Sequence, residues 1–181
     1  SFIDVAAPGP HYGDGSGVRG DIIGDTQHHG GNDKAIYAYA REELDYWQSE
    51  LSRPLASGCF GENLTTQGVD LSALLINQRL RIGTAVLEVS VPRQPCSTFA
   101  GWLGERGWLK RWTARGDCGT YLRIISPGRI QPGDSITMDT PPNHDITMRI
   151  AFAAKMGNRT LAQRVIEAGC LPPHQNNSLR A

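Results

Sequence analysis

The run Val89-Ser90-Val91-Pro92-Arg93-Gln94-Pro95-Cys96 sets the hardest limit on how this chain can fold. Upstream of Pro92, residues 85–91 alternate apolar and polar side chains, the period of a half-buried strand. Proline has no backbone donor, so regular sheet pairing must end at Pro92. Pro95 then stiffens the backbone just before Cys96. A thiol at the end of a strand, held by two prolines beside Arg93, is a design for a positioned thiolate, because a neighbouring cation favours the charged sulfur. Local pattern alone leaves a second reading open, in which Cys96 is a small buried hydrophobe.

The rest of the chain is punctuated in the same way. Its 181 residues include 21 glycines and 11 prolines, which implies many turns and short strands, and the length suits one domain with a small appendage. Residues 1–23 read as irregular, with a turn-rich Tyr12-Gly13-Asp14-Gly15-Ser16-Gly17 segment. No Lys-Ser or Lys-Thr follows these glycines, which excludes a Walker-type phosphate loop. Residues 34–40 read as a strand buried on both faces. Residues 41–51 switch to helical spacing, with Leu44, Trp47 and Leu51 on one side and Pro54 as the stop. Residues 74–82 and 85–91 form two strands joined by a Gly83-Thr84 turn. Phe99, Trp102 and Leu103 mark a short helix after Cys96, and residues 107–115 mark a second. Residues 119–125 are another strand, and residues 130–138 a last strand pair through Pro132-Gly133-Asp134. These seven or eight short strands imply a mainly β chain of the α+β class, a barrel or sandwich with inserted helices. Pro141-Pro142 divides it from a helical extension, giving domains 1–140 and 141–181. The extension has helices at 147–156 and 159–168, Asn158 as N-cap, Gly169 as stop, a loose tail from Pro172, and no evident chemistry.

Charge and composition exclude several roles. Eighteen basic and 18 acidic residues give zero formal net charge, which argues against a nucleic-acid partner. The interleaved tryptophans and cations of residues 107–115 therefore read as a half-buried helix with a solvated basic face. No apolar run is long enough to span a membrane, and no signal-peptide pattern opens the chain. The four cysteines, Cys59, Cys96, Cys118 and Cys170, form no CxxC pair, as expected of reduced thiols in a cytoplasm. His28 and His29, being neighbours, would point to opposite faces of a strand and not share a zinc ion. The glycines after them allow a tight turn or close approach to a ligand.

Four motifs stand in order: His29-Gly30-Gly31-Asn32-Asp33-Lys34-Ala35, Phe60-Gly61-Glu62-Asn63-Leu64-Thr65-Thr66, Val91-Pro92-Arg93-Gln94-Pro95-Cys96 and Gly119-Thr120-Tyr121-Leu122-Arg123. Together they resemble the MOSC domain family, in its bacterial stand-alone branch. The resemblance implies a MOSC-type β-barrel that binds the molybdenum cofactor, a molybdopterin with one terminal phosphate; at family level it also carries an association with pyridoxal phosphate. It implies Cys96 as the molybdenum ligand, a soft thiolate suited to a heavy metal. Arg93 and Arg123 would neutralise the phosphate or the thiolate, and His29, Gly30, Gly31 and Lys34 would line the pterin pocket. Asp33, Glu62 and Asn63 would bond pterin edges or position substrate, with Asp33 and His29 as candidates for proton delivery. The implied activity is reduction of small N-hydroxylated compounds such as N-hydroxylated purine bases, a detoxification chemistry. With no nucleotide-binding fingerprint, the chain would take electrons from a separate flavin or iron–sulfur reductase. The alternative is a carrier of the cofactor, or of sulfur as a Cys96 persulfide. Family members begin with a further strand bearing a basic residue, for which residues 1–23 show no equivalent.

Overall fold

A computed structural model of the chain describes residues 1–24 and 29–180. Its strand β2 (Ile36–Ala40) is buried along its whole length, as the apolar run on both faces requires. Tyr37 and Tyr39 share one face, where their rings contact each other, Tyr121 and Phe60. β2 lies between β3 (Leu64–Thr66), parallel to it, and β6 (Thr120–Ser126), antiparallel. The sheet continues through β5 (Ala85–Val89) and β4 (Arg79–Ile82) to β8 (Ile136–Met138), giving six strands in the order β3-β2-β6-β5-β4-β8. It curls strongly into a half-barrel within an α+β fold. A register shift at Val86/Leu87 adds local twist where β5 meets β6. Gly119 lets β6 begin against β2: its φ is +63°, and a Cβ there would lie 2.4 Å from the Ala38 carbonyl oxygen.

Three expectations about strands need correction. Residues 74–82 are not one strand, because a turn at 76–77, with Asn77 at φ +67°, precedes β4. Residues 1–23 are not wholly irregular, because β1 (Ile3–Val5) pairs antiparallel with β7 (Gly128–Ile130). Residues 130–138 do not form a strand pair with each other. β7 pairs with β1 and β8 with β4, and the Gln131–Asp134 turn carries the chain from one ladder to the other. Turn chemistry marks where a strand ends; it does not name the partner.

The helices cover the tyrosine face. α1 (Arg41–Leu51) buries Leu44 and Trp47, and Ser52 closes it in the left-handed region ahead of Pro54. α2 (Ser97–Leu103) and α3 (Trp108–Arg115) follow Cys96 as expected. α3 buries Trp108 and Trp112 and turns its cations outward, where Arg115 pairs with Glu43 at 2.6 Å. A seam of edge-on ring contacts runs Trp47–Trp108–Phe99–Trp112–Phe152, with centroids 4.6–5.5 Å apart. Phe152 belongs to α4 (Met148–Lys155), so the C-terminal helices share this core. α5 (Arg159–Ala168) is capped by Asn158 and ended by Gly169, as the pattern requires. The tail from Pro172 is not loose: residues Pro173–Asn177 form α6, with proline in its first turn. Five residues show no 3.6-residue period, which is why this helix is invisible locally.

Trp112 joins α3 to both α2 and α4. Trp112→Ala is expected to cost about 3–5 kcal/mol of unfolding free energy, read by urea denaturation, with far-UV and near-UV signals moving together.

Candidate functional site

Pro92 ends the sheet where its chemistry says it should. The Ser90 N–H donates to the Tyr121 carbonyl at 2.9 Å and the Tyr121 N–H to the Val91 carbonyl at 3.2 Å; beyond that the loop leaves β6. It carries Cys96 to the N-cap of α2, where the half-buried sulfur accepts the Phe99 N–H at 3.4 Å. All four thiols are free.

Arg93 turns back beneath this loop. Its guanidinium lies 4.2 Å from the centre of the Phe99 ring and 4.7 Å from that of Tyr37, and it donates to the Phe60 carbonyl. Its Nε is buried with no hydrogen-bond partner. Among the described residues no carboxylate pairs with it. Arg93 and Cys96 act on each other electrostatically, and Tyr121 feels both. Burial pushes the Tyr121 phenol up to about 12, so it stays protonated, with its oxygen 3.3 Å from His29 Nδ1. The Lys34 ammonium stands 4.6 Å from the Tyr12 ring centre and 5.5 Å from that of Tyr121. His29 and Lys34 thus meet Tyr121 directly, and Arg93 and Cys96 act on it electrostatically.

The other expected residues hold the frame. Gly31, at φ +75°, opens the 3-10 turn Asn32–Lys34; a Cβ there would sit 2.2 Å from the His11 carbonyl oxygen. Its N–H donates to Gly15, so the buried Gly30-Gly31 pair admits the residue 11–15 loop. Arg123 donates to Asp33 at 2.7 Å, Glu88 at 3.0 Å and Asn77 at 3.2 Å, and so fastens that turn to the sheet. The Glu62 carboxylate accepts the N–H groups of Gly58 and Phe60 and the Thr65 hydroxyl. Asn63 accepts the Tyr37 N–H at 2.9 Å and donates to Asp21. Glu62 closes its own turn, which aims the Phe60 carbonyl at Arg93, and Asn63 ties that turn to β2 and to Asp21. His28 lies outside the described residues.

The site also draws on residues that local pattern does not mark. Tyr37 and Tyr121 are cross-strand partners. Tyr121 lies two residues from Arg123 on the same strand face, a signal the strand period does contain. The helical extension, expected to carry no chemistry, reaches the site: Gln175 Nε2 donates to the Tyr12 hydroxyl at 3.1 Å and His174 Nε2 lies 3.1 Å from it. Lys155 of α4 donates to the Gln175 carbonyl. Burial first, then the charge of Lys34, holds the Lys155 ammonium down to about 8. A cavity of about 730 Å³ lies elsewhere, between the two open edges of the half-barrel, lined by Thr65, Ile82 and Ile136 among others. Among the described residues no helix is long and apolar enough to cross a membrane.

Comparison with known proteins gives a consistent picture. The family model described as MOSC domain matches residues 25–137. The uncharacterized protein YflK of Bacillus subtilis is 36% identical over 156 residues, covering 84% of this chain and 71% of that protein. Protein YiiM of Escherichia coli is 31% identical over 140 residues, 76% of this chain and 62% of that one. A Gibberella moniliformis protein named reductase is 31% identical over 135 residues, 72% of this chain but only 24% of its own length. The crystal structure of YiiM from Geobacillus stearothermophilus superposes with a TM-score of 0.74 at 28% identity, covering 83% of this chain and 78% of that one.

Two outcomes follow from the charges. Arg123→Met takes the cation from Asp33 and one of the two that face Glu88, which keeps Arg79, and is expected to cost about 3–5 kcal/mol of stability in urea titrations at pH 7, partly restored by adding Asp33→Asn. Lys155 releases its proton near pH 8 in the fold and near its ordinary 10.5 when unfolded. Its charge therefore weighs against the fold below pH 8, and that burden lifts between pH 8 and 10.5. The stability of wild type relative to Lys155→Met should be flat below pH 7 and rise across that window.

Proposed function

This chain belongs to the MOSC domain family, close to the stand-alone bacterial proteins YiiM and YflK, and on that footing we propose that it binds the molybdenum cofactor through Cys96 and reduces N-hydroxylated compounds to amines. The observation that carries the reading is Arg93. A buried guanidinium with no carboxylate partner among the described residues, near a half-exposed thiol, is suited to face negative charge. A thiolate and an anionic cofactor are such charges. Among the described residues no three His, Cys, Asp or Glu side chains converge as a metal site, so Cys96 would be the protein's ligand and the cofactor would bring the rest. The similarity to a protein named reductase supports the direction of the chemistry.

When bound, the cofactor supplies the two-electron redox step. The balanced reaction is R–NHOH + 2 e⁻ + 2 H⁺ → R–NH₂ + H₂O, with the electrons coming from a separate flavin or iron–sulfur reductase. The chain's own part is placement and protons. Arg93 offsets the negative charge at the sulfur, and Lys34 presents a second cation. His29, with Nδ1 against the protonated Tyr121 hydroxyl, is better suited to deliver a proton than Asp33, whose carboxylate is held by Arg123.

Expression in a host that makes the cofactor should give near-stoichiometric molybdenum in wild type and none in Cys96→Ala, by elemental analysis. The replete protein should turn over an N-hydroxylated purine with an artificial electron donor. Equal metal in both proteins would refute the ligand assignment. Metal without turnover would leave a cofactor carrier in place of an enzyme.

A further inference from the structure

The contacts of Tyr12 tie the two ends of the chain together over Lys34. Tyr12 sits in the residue 11–15 loop, and its hydroxyl meets Gln175 Nε2 and His174 Nε2, both at 3.1 Å. The His174 ring also packs edge-on against the Tyr12 ring, with centroids 5.7 Å apart. Gln175 is buried, so its amide needs a partner, and the Tyr12 oxygen provides one. α6 is anchored in turn by Lys155, whose ammonium donates to the Gln175 carbonyl at 2.6 Å and the Ser178 hydroxyl at 2.5 Å. The ring fixed in this way lies under the Lys34 ammonium.

A lysine stem is flexible, so the place of its charge is set by what the ammonium rests on. Its contacts include the ring of Tyr12, with Tyr121 of β6 as a second face. Tyr121 is held by the sheet. Tyr12 lies in a loop, and α6 holds it there. We propose that His174 and Gln175 are positioning residues: through Tyr12 they set where Lys34 presents its charge to the site around Cys96. The helical extension is then a working part of the site. That a bound ligand uses the charge rests on the function proposed above; the positioning does not.

The test reads Lys34 directly. In the full-length protein, the rate of acylation of Lys34 is followed against pH by mass spectrometry in wild type, Tyr12→Phe and the double variant His174→Leu/Gln175→Leu. Tyr12→Phe keeps the ring and removes both hydrogen bonds, so it guards against a variant that fails to fold. Releasing the residue 12 ring from α6 should loosen its hold on the ammonium, make Lys34 more reactive and move its profile down by about half a pH unit. A merely structural role for α6 would lower the melting temperature and leave the Lys34 profile in place. An unchanged profile in both proteins would overturn the proposal. The measurement needs neither metal nor turnover, so a chain without molybdenum would sink the cofactor reading and leave this one standing.

Discussion

The buried guanidinium of Arg93 is the interaction on which the rest of the site depends. Removing a charge from water costs several kcal/mol unless other groups compensate. Here the compensation is two aromatic rings and one carbonyl, each held from behind. Tyr37 is fixed by its hydroxyl on the Cys118 carbonyl and by its backbone on Asn63. Phe99 is locked into the tryptophan seam. The Phe60 carbonyl is aimed by Glu62. Much of the surrounding fold exists to keep this cation where the thiol can feel it.

The contrast with Arg123 shows how environment separates two similar side chains. Arg123 lies between two carboxylates and is neutralised by them, so it acts as a rivet between the Asn32–Lys34 turn and the sheet. Arg93 has no such partner among the described residues. Of the two guanidiniums, the one left without a carboxylate among the described residues is therefore that of Arg93, in the loop beyond β5.

Elements set by local signals were legible in the sequence. α1 follows from its apolar spacing, α5 from Asn158 and Gly169, and the end of β5 pairing from Pro92. What depends on distant contact was not. β1 has three residues and exists because β7 accepts it; α6 has five and is held by Lys155 and Tyr12. The site divides along the same line. Cys96, Arg93, His29 and Lys34 sit in dense motifs and could be named. Tyr12, Lys155, His174 and Gln175 are ordinary residues in ordinary surroundings until the fold brings them together. Glu62 and Asn63 were visible as a polar turn, but only hydrogen-bond partners could show that Glu62 faces its own turn and Asn63 the backbone of β2.

The joining of Tyr12 to His174 and Gln175 has a consequence in time. The contact spans 162 residues, and the β1–β7 ladder spans nearly the whole half-barrel, so both belong to the slow class of chain closures. α6 is made long after Tyr12, 162 residues further along the chain. While the chain is being made, the Lys34 side of the site therefore has no wall. Any guest that needs the finished cleft must arrive after α6 has been made and has closed on Tyr12.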